Sequence, residues 1–336
     1  MINIVIIGTG AVASKRHMPG VIGSEKANLY GVFDKSVERA KEAVEKFGGK
    51  LFTSIEEVYE DKQVDGVIIC TPPQTHTECA IGALKAGKNV MLEKPMALTV
   101  EEARAIEKAR EESGKKLIML HVQREYEPHV TAKQLLDRGE IGTLLSYRTF
   151  LGNADPNVKN YVKTPWWHNA LYNIGIHRID LMRYITGSEV TGVFCRRSRL
   201  MVKEWYGEDH GTDDHVIGIM EHENGVIGTM IASRTSFHGE DRTTELIGTD
   251  GAILTYENSH DVVVKKSNGE TICYDFASSH EQSALEITGI YDEFCKCIEE
   301  DCVPPITGKD GLESIRIAAA MEKSDLENKW VAIEEI

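Results

Sequence analysis

A lysine flanked by a glutamate and a proline, in the stretch Glu93-Lys94-Pro95, combines residue types that suit catalysis on a small molecule. The stretch follows residues 89–92, an apolar run typical of a buried strand. A lysine at the carboxyl end of a strand in an open α/β sheet points into the crevice where such sheets bind ligands. The proline fixes the chain direction, because its ring locks φ. We therefore expect Lys94 to lie in an active site and to donate a hydrogen bond to a reacting oxygen.

A second group of polar residues, Asn173, His177 and Asp180, has the spacing i, i+4 and i+7. If this stretch is helical, the three side chains share one face. A lone histidine on a helix is more often structural than catalytic. An amide and a carboxylate beside it favour catalysis, because an imidazole that titrates near about pH 6.5 needs polar neighbours to orient and tune it. His177 is predicted to accept a proton, and Asn173 to hold the hydroxyl or the imidazole without titrating.

The first residues of the chain carry a dinucleotide-binding pattern. An apolar run at 4–7 leads into a G-x-G-x-x-A turn made of Gly8, Thr9, Gly10, Ala11, Val12 and Ala13. Asp34 closes a second apolar run, where a carboxylate accepts hydrogen bonds from the adenosine ribose and repels a 2′-phosphate. The pattern predicts NAD rather than NADP as the cofactor. Two other interpretations stay open: Asp34 caps the helix that begins near Ser36, or Lys35 offsets the repulsion.

Strand and helix patterns alternate through the first third of the chain. Apolar runs at 29–33, 65–70, 89–92 and 116–122 are separated by helical patterns at 36–48, 75–87 and 100–114. This alternation predicts a doubly wound parallel sheet with right-handed crossovers in residues 1–122. The ligand-facing loops of such a sheet follow the carboxyl ends of its strands. Besides the turn and Asp34, the residues expected beside the cofactor are Thr71, Pro72, His76, Glu93 and Lys94.

The pattern changes after Arg124. A helical stretch at 128–138 is followed by alternating runs at 144–151, 190–200, 215–220, 226–233, 243–247 and 261–266, and then by helical patterns at 281–300 and 311–328. Alternation with a period of two predicts an antiparallel sheet. We therefore expect an α/β protein in which the parallel domain is followed, in residues 123–336, by an α/β domain with a large, mostly antiparallel open sheet.

Composition limits the partners of this chain. It has 38 basic and 53 acidic residues and a formal net charge of −15, which argues against a nucleic-acid or anionic-membrane surface and favours a small-molecule partner. No apolar run approaches the roughly 18 residues of a membrane span, and the N-terminus lacks a secretory pattern, so we expect a cytoplasmic protein. Cys295, Cys297 and Cys302 invite a zinc site. On a helix Cys297 points away from the other two, so we expect core thiols and no metal.

In combination these motifs resemble the Gfo/Idh/MocA oxidoreductases over nearly the whole chain. The residues that carry the resemblance are the turn at 8–13, Thr71-Pro72, His76, Glu93-Lys94-Pro95, Arg124 with Pro128, Gly175-x-His177-x-x-Asp180 and Gly308-x-Asp310-Gly311-Leu312. The resemblance implies a Rossmann domain, oxidation or reduction of sugars, inositols and related polyols with NAD or NADP, and a homodimer or homotetramer formed through the open sheet face. It also implies that Lys94 is the active-site lysine and His177 the catalytic histidine.

One position departs from the family pattern. The family often has an aspartate four residues before the histidine, where this chain has Asn173. Some branches of the family that act on sugar nucleotides or glycosides resemble this chain in carrying asparagine there. The change therefore bears on the substrate more than on activity.

Three functions are compatible with these residues. We expect NAD-dependent transfer of a hydride between nicotinamide and a secondary alcohol of a sugar, inositol or glycoside, with His177 taking the hydroxyl proton. The alternatives are a redox-neutral glycosidase-type enzyme that retains NAD, and a non-catalytic NAD-binding regulator, which would need neither Lys94 nor His177. The substrate pocket is expected to draw on Gln123, Arg124, Tyr126, Asn153, Tyr161, Trp167, His168, Tyr172, Asp180 and His238.

Overall fold

The chain forms two compact units. The computed structural model describes residues 1–153, 169–201, 204, 212–237, 241–258, 261–276 and 288–336. The first unit comprises Met1–Val122 and Ser279–Ile315, and the second comprises Gln123–Ser278 and Arg316–Ile336. The sequence patterns predict one boundary near residue 123. In the structure a later segment also belongs to the first unit, so this unit draws on two separate parts of the chain.

The first unit is built on a parallel sheet that has six strands among the described residues. Its strands are β1 (Ile2–Ile7), β2 (Ala27–Phe33), β3 (Lys50–Leu51), β4 (Gly66–Ile69), β5 (Asn89–Leu92) and β6 (Leu117–Met119). The sheet order is β3-β2-β1-β4-β5-β6, and every pair is parallel. All residues of β4, β5 and β6 are buried, as continuous apolar strands of a parallel sheet require. The strand order reverses between β1 and β4, which places the ligand crevice at the carboxyl ends of these strands.

Helices connect these strands, and the sequence patterns predict three of them, at 36–48, 75–87 and 100–114. They are α1 (Met18–Gly23), α2 (Val37–Phe47), α3 (Ile55–Glu60), α4 (His76–Lys85) and α5 (Val100–Ser113), with a π-helical turn at Ala13–His17 before α1. The ends of α5 show how the local sequence determines where a helix begins and ends. Thr99 caps its N-terminus in a capping box with Glu102, and Gly114 ends it at a φ of 66°.

The second unit contains a sheet that has nine strands among the described residues. They are β7 (Leu144–Gly152), β8 (Val190–Ser198), β9 (His215–His222), β10 (Ile227–Ser233), β11 (Asp241–Gly248), β12 (Gly251–Tyr256), β13 (Asp261–Lys266), β14 (Thr271–Asp275) and β15 (Val331–Ala332). The order is β14-β13-β12-β11-β7-β10-β9-β8-β15, antiparallel throughout except for the parallel pair β7 and β10. The predicted fold class is therefore confirmed.

The two faces of this sheet differ in exposure. Tyr147 and Met230, on one face, are fully buried, whereas Ile217 and Ile227, on the other, are 46% and 48% exposed. The exposed face carries a groove of about 270 Å³, lined by Arg148, Thr149, Phe150, Thr229, Ile231, Thr243, Thr244, Glu245, Leu254, Thr255 and Tyr256. Alternation along each strand thus sorts side chains into a core face and an open face that is partly apolar.

The remaining helices are α6 (Glu127–Asp137), α7 (Ile176–Thr186), α8 (Thr288–Glu299) and α9 (Gly308–Glu327). The helix predicted at 281–300 is described from residue 288 onward. Within the described ranges, none of the helices combines the length and the apolar character of a membrane span. The same residues contain no cluster of three His, Cys, Asp or Glu side chains with the arrangement of a metal site.

The cysteines near α8 differ from the helical projection. The Sγ atoms of Cys297 and Cys302 lie 3.0 Å apart, whereas the sequence pattern separates them. The reason is that α8 ends at Glu299, so Cys302 lies beyond the helix and its angular position no longer follows helical spacing.

Candidate active site

The glycine-rich turn after β1 has the backbone geometry of a dinucleotide site. Gly8 has a φ of +92°, and a Cβ at this position would lie 2.9 Å from the backbone of Cys70 and Thr71, which follow β4. A Cβ on Gly10 would meet nothing within 4 Å. One glycine therefore permits the tight turn beside the neighbouring strand, and the other leaves an open side that a pyrophosphate could approach. Ala11 and Val12 are exposed beyond it.

Asp34 links this turn to the helix after β2. Its Oδ2 accepts hydrogen bonds from the backbone N and the Oγ1 of Thr9, at 2.8 and 3.0 Å. Its Oδ1 accepts from the backbone N of Ser36 and from Nη2 of Arg39, both at 2.8 Å. Burial opposes ionisation, but the hydrogen bonds from Arg39, Thr9 and Ser36 outweigh it and lower the pKa of Asp34. An ionised carboxylate beside the turn fits the recognition of a ribose.

The N-terminal cap of α2 is Ser36, whose side chain accepts from the backbone N of Arg39. Helix capping is therefore not the role of the Asp34 side chain. Sequence reasoning missed Arg39, although its position one turn into α2 places it within reach of the strand end.

Two loops at neighbouring strand ends are joined by His76. Its Nδ1 lies 2.8 Å from the carbonyl oxygen of Pro95, and its Nε2 lies 2.9 Å from that of Thr71. Burial lowers the pKa of His76, although both carbonyl neighbours favour the charged ring. His76 is 1% exposed, so it holds the loops after β4 and β5 together, while Pro72 is exposed beside it.

The residue before Lys94 is a buried carboxylate. One oxygen of Glu93 lies 2.8 Å from Nε2 of His17, and the other accepts a 3.0 Å hydrogen bond from the backbone N of Lys94. Nδ1 of His17 lies 2.8 Å from the hydroxyl of Tyr291 in α8. Lys94 itself is partly exposed, and its peptide bond to Pro95 is cis. Sequence reasoning did not find His17 or Tyr291, since neither carries a local motif.

In the second unit, the predicted catalytic helix has two geometries. Ala170–Gly175 is π-helical, and α7 begins at Ile176. Asn173 lies in the π-helical part, so the α-helical spacing that predicts a shared face with His177 does not apply to it, because a π-helix closes i to i+5. His177 and Asp180 both lie in α7, at i and i+3. Asn173 is buried and His177 is partly exposed.

Asp180 is bound by Arg124. Nη2 of Arg124 donates to Oδ1 of Asp180 at 2.5 Å, and Nε donates to Oδ2 at 2.8 Å. Both side chains are at least nine-tenths buried. This bidentate pair joins the start of the second unit to α7 and fixes the face of the helix that carries His177.

The other predicted pocket residues lie at different places in the second unit. Tyr126 stacks on the ring of His129, with centroids 6.0 Å apart. The hydroxyl of Tyr172 donates to Glu322 at 2.8 Å, and Asn153 accepts from Arg234 at 3.0 Å. Tyr161, Trp167, His168 and His238 lie outside the described residues.

A buried ionic cluster includes Arg178 of α7. Arg178, which is 0% exposed, donates to Oε1 of Glu257, and its Nη1 lies 3.3 Å from Oε1 of Gln123. His129 contacts the same Glu257 oxygen at 3.1 Å, and its Nδ1 lies 2.7 Å from the carbonyl oxygen of Gln123. Burial opposes ionisation of Glu257, but the charges of Arg178 and His129 lower its pKa well below the usual range. The cluster anchors the residue next to His177.

Known proteins share both parts of this architecture. Residues 2–121 match the oxidoreductase family with an NAD-binding Rossmann fold, and residues 129–254 match the GFO/IDH/MocA C-terminal domain. The scyllo-inositol 2-dehydrogenase (NAD(+)) of Bacillus subtilis (strain 168) is 29% identical over 95% of this chain and 92% of its own. The myo-inositol 2-dehydrogenase of Thermotoga maritima is 27% identical over 98% of each chain. A crystal structure of a probable dehydrogenase from Thermotoga maritima superposes with a TM-score of 0.86 at 26% identity, covering 100% of both chains.

A dinucleotide turn at the switch point of a parallel sheet, with a lysine after a neighbouring strand, defines an NAD-dependent oxidoreductase that acts on CH–OH groups. The chain belongs to the Gfo/Idh/MocA family.

Proposed function

We propose that this enzyme transfers a hydride between nicotinamide and a secondary alcohol carbon of a sugar, an inositol or a glycoside, in either direction. The observation that carries the proposal is the placement of Lys94 at the carboxyl end of β5, next in the sheet to β4, where the dinucleotide turn meets Cys70 and Thr71. The names of the inositol dehydrogenases that resemble this chain support the substrate class.

The residues of the first unit hold the cofactor in this proposal. Gly8, Thr9, Gly10, Ala11 and Val12 offer backbone to the pyrophosphate, and Asp34 accepts from the adenosine ribose. Thr71, Pro72 and His76 shape the loop after β4. Glu93 holds the backbone of Lys94 by accepting a hydrogen bond from its N–H. When bound, NAD supplies the acceptor or donor of the hydride.

Catalysis then rests on a proton acceptor and a hydrogen-bond donor. His177 takes the proton of the substrate hydroxyl, and Lys94 donates to the oxygen as negative charge develops on it. Asn173 orients the hydroxyl or the imidazole without titrating. Gln123, Tyr126, Tyr172, Trp167 and His168 are proposed substrate contacts. Arg124 and Asp180 serve the same pocket as a fixed pair, because each satisfies the charge of the other.

The organisation of the enzyme is a further part of the proposal. Residues 1–122 act as the NAD-binding domain together with Ser279–Ile315, and the rest of residues 123–336 supplies the domain for substrate binding and assembly. A homodimer or homotetramer forms through the open face of the second sheet, supported by the exposure of Ile217 and Ile227 and by the groove beside them. The enzyme works in the cytoplasm, which the acidic charge and the free cysteines of the chain support.

Cofactor reduction tests the proposed reaction. We expect at least one compound among inositols, aldoses, glycosides and sugar nucleotides to reduce NAD stoichiometrically, measured as absorbance of free NADH, and His177→Ala to abolish the signal. His215→Ala is the matched control, since its ring bonds Ser233 on an antiparallel strand pair, and it should retain the rate. NADH that stays bound while substrate turns over would instead indicate the redox-neutral reaction.

The cofactor preference should depend on Asp34. We expect the wild type to bind NAD more tightly than NADP, and Asp34→Ser to shift the ratio of dissociation constants about tenfold or more toward NADP, because it removes an acceptor for the ribose and the repulsion of a 2′-phosphate. Fluorescence titration measures both constants. Asp61→Ser, which removes a carboxylate bound to Lys50 in the same unit, should leave the ratio unchanged. A wild-type preference for NADP would contradict the assignment.

A further inference from the structure

We propose that His17 and Tyr291 are positioning residues for Lys94 and act on it through Glu93. The inference rests on the proposed catalytic role of Lys94. Neither residue belongs to a motif, and both lie in the first unit, where Tyr291 comes from the segment that returns late in the chain.

Tyr291, His17, Glu93 and the backbone N–H of Lys94 form one line of hydrogen bonds, called the Glu93 line below. The Tyr291 hydroxyl lies 2.8 Å from Nδ1 of His17, Nε2 of His17 lies 2.8 Å from one Glu93 oxygen, and the other Glu93 oxygen accepts the backbone N–H of Lys94 at 3.0 Å. The contacts are satisfied when the phenol donates to Nδ1 and Nε2–H donates to the carboxylate. Each donor then has one acceptor, and the last contact fixes the backbone from which the Lys94 side chain extends.

The charge on Glu93 depends on this line. Burial opposes ionisation of Glu93, but His17, Lys94 and Arg16 overcome it and lower its pKa to about 2. The positive charge of Lys94 is one of the causes of this lowering. His17 is 0% exposed and Glu93 is 8% exposed, so water does not replace either partner. Weakening the hold on Glu93 therefore displaces both the backbone of Lys94 and the carboxylate beside it.

The Tyr291 ring packs closely against α1 because Gly20 has no side chain. A Cβ on Gly20 in α1 would lie 2.2 Å from Cε2 of Tyr291, so only glycine lets the ring approach α1 this closely. Tyr291 is 1% exposed, and burial keeps its hydroxyl protonated by raising its pKa. The ring thus presents a fixed donor to His17.

Another tyrosine in the same unit offers a matched control. A Cβ on Gly82 in α4 would lie 2.8 Å from Cε2 of Tyr59, whose hydroxyl donates to the carbonyl oxygen of Cys79 at 3.0 Å. Tyr59 thus has a glycine contact and a hydroxyl hydrogen bond like those of Tyr291, but its partner is a helix carbonyl and not the Glu93 line. A purely structural role predicts similar effects at the two sites.

The experiment compares Tyr291→Phe with Tyr59→Phe in the full-length enzyme. We expect Tyr291→Phe to lower kcat about tenfold, since small misplacements of a catalytic group have effects of this order or larger, while the Kd for NAD stays within about twofold of wild type. Tyr59→Phe should retain the wild-type kcat. The melting temperatures should fall by similar amounts, which separates positioning from stability. Equal kcat values for the two variants would overturn the inference.

Two glycine variants and a double variant keep the result unambiguous. Gly20→Ala keeps the Tyr291 hydroxyl but must displace the ring, because the added Cβ would lie 2.2 Å from Cε2 and 3.0 Å from the hydroxyl oxygen. It should lower kcat as Tyr291→Phe does, whereas Gly82→Ala should not. In a Lys94→Met background, Tyr291→Phe should cause no further loss, because its effect passes through Lys94. A further tenfold loss would contradict the inference. Retained activity in Lys94→Met alone would instead overturn the proposed function.

Discussion

Replacing Lys94 with methionine is expected to lower kcat by about two to three orders of magnitude while leaving the affinity for NAD unchanged. The ammonium would act on the oxygen whose charge develops in the transition state, and removal of one such donor has effects of this size. Methionine keeps the length and apolar stem of the side chain. Steady-state kinetics with the identified substrate, together with fluorescence titration of NAD, measure the two quantities separately.

The matched control for Lys94 lies at the other end of the same strand. Lys88 directly precedes β5, and its Nζ donates to the carbonyl oxygens of Asp61 and Val64 at 2.6 and 3.0 Å. Lys88→Met should lower the melting temperature and keep kcat, because parallel strands bind ligands at their carboxyl ends only. If Lys94→Met retained more than about a tenth of kcat, the lysine would not stabilise the transition state in the proposed way. Weakened NAD binding in its place would make Lys94 a cofactor residue.

Glu257→Gln should destabilise the second unit by about 3 to 5 kcal/mol. The substitution leaves Arg178, which is 0% exposed, without the charge that compensates it, and an uncompensated buried charge carries a cost of this size. His129 loses the same negatively charged neighbour. Urea unfolding followed by far-ultraviolet circular dichroism measures the difference in free energy of unfolding at pH 7.

The control for the Arg178–Glu257 pair is an exposed ion pair in the same unit. Arg148 and Glu245 form an ion pair on β7 and β11, with the arginine side chain 71% exposed. Glu245→Gln should cost less than about 1 kcal/mol, because solvent screens such pairs. A loss for Glu257→Gln no larger than that of the control would show that the buried cluster adds nothing to stability.

The same cluster gives stability a defined dependence on pH. The pKa of Glu257 is lower in the folded protein than its ordinary value of 4.5, because Arg178 and His129 outweigh the effect of burial. Its contribution is therefore complete above that value and is lost as pH falls below it toward the folded pKa. Wild type should lose stability between about pH 5 and pH 3 more steeply than Glu257→Gln.

The residues that sequence reasoning found are those with local signals. Lys94 follows an apolar strand and His177 lies in a helical polar pattern, so short spacing identifies both as candidates. The residues that hold Glu93 next to Lys94 give no local signal, because they are remote in sequence. His17 is 76 residues from Glu93 and 274 from Tyr291. No periodicity pairs residues over such distances, and only the fold brings them together.

The fold was predicted where burial imposes a pattern. The sequence patterns predict five of the six described parallel strands and six of the nine described strands of the second sheet. They miss β3 and β15, which have two residues each, and β14, whose residues are alternately exposed and partly buried at one edge of the sheet. The patterns also miss β12, whose first residue, Gly251, pairs with Lys266 of β13. The π-helical turn around Asn173 was also missed, because its backbone pattern depends on packing and not on hydrophobic spacing.

The late return of the chain to the first unit has a consequence for biosynthesis. Phe294 in α8 is 1% exposed, and its ring lies against Gly66 at the start of β4, while Gly311 in α9 lies against Met96 and Met119. A ribosome releases Val122 long before it makes these residues, at about 5 to 20 residues per second. Part of the hydrophobic core of the first sheet is therefore synthesised on the order of ten seconds after its strands. During that interval the apolar surface that these residues later cover is accessible to chaperones.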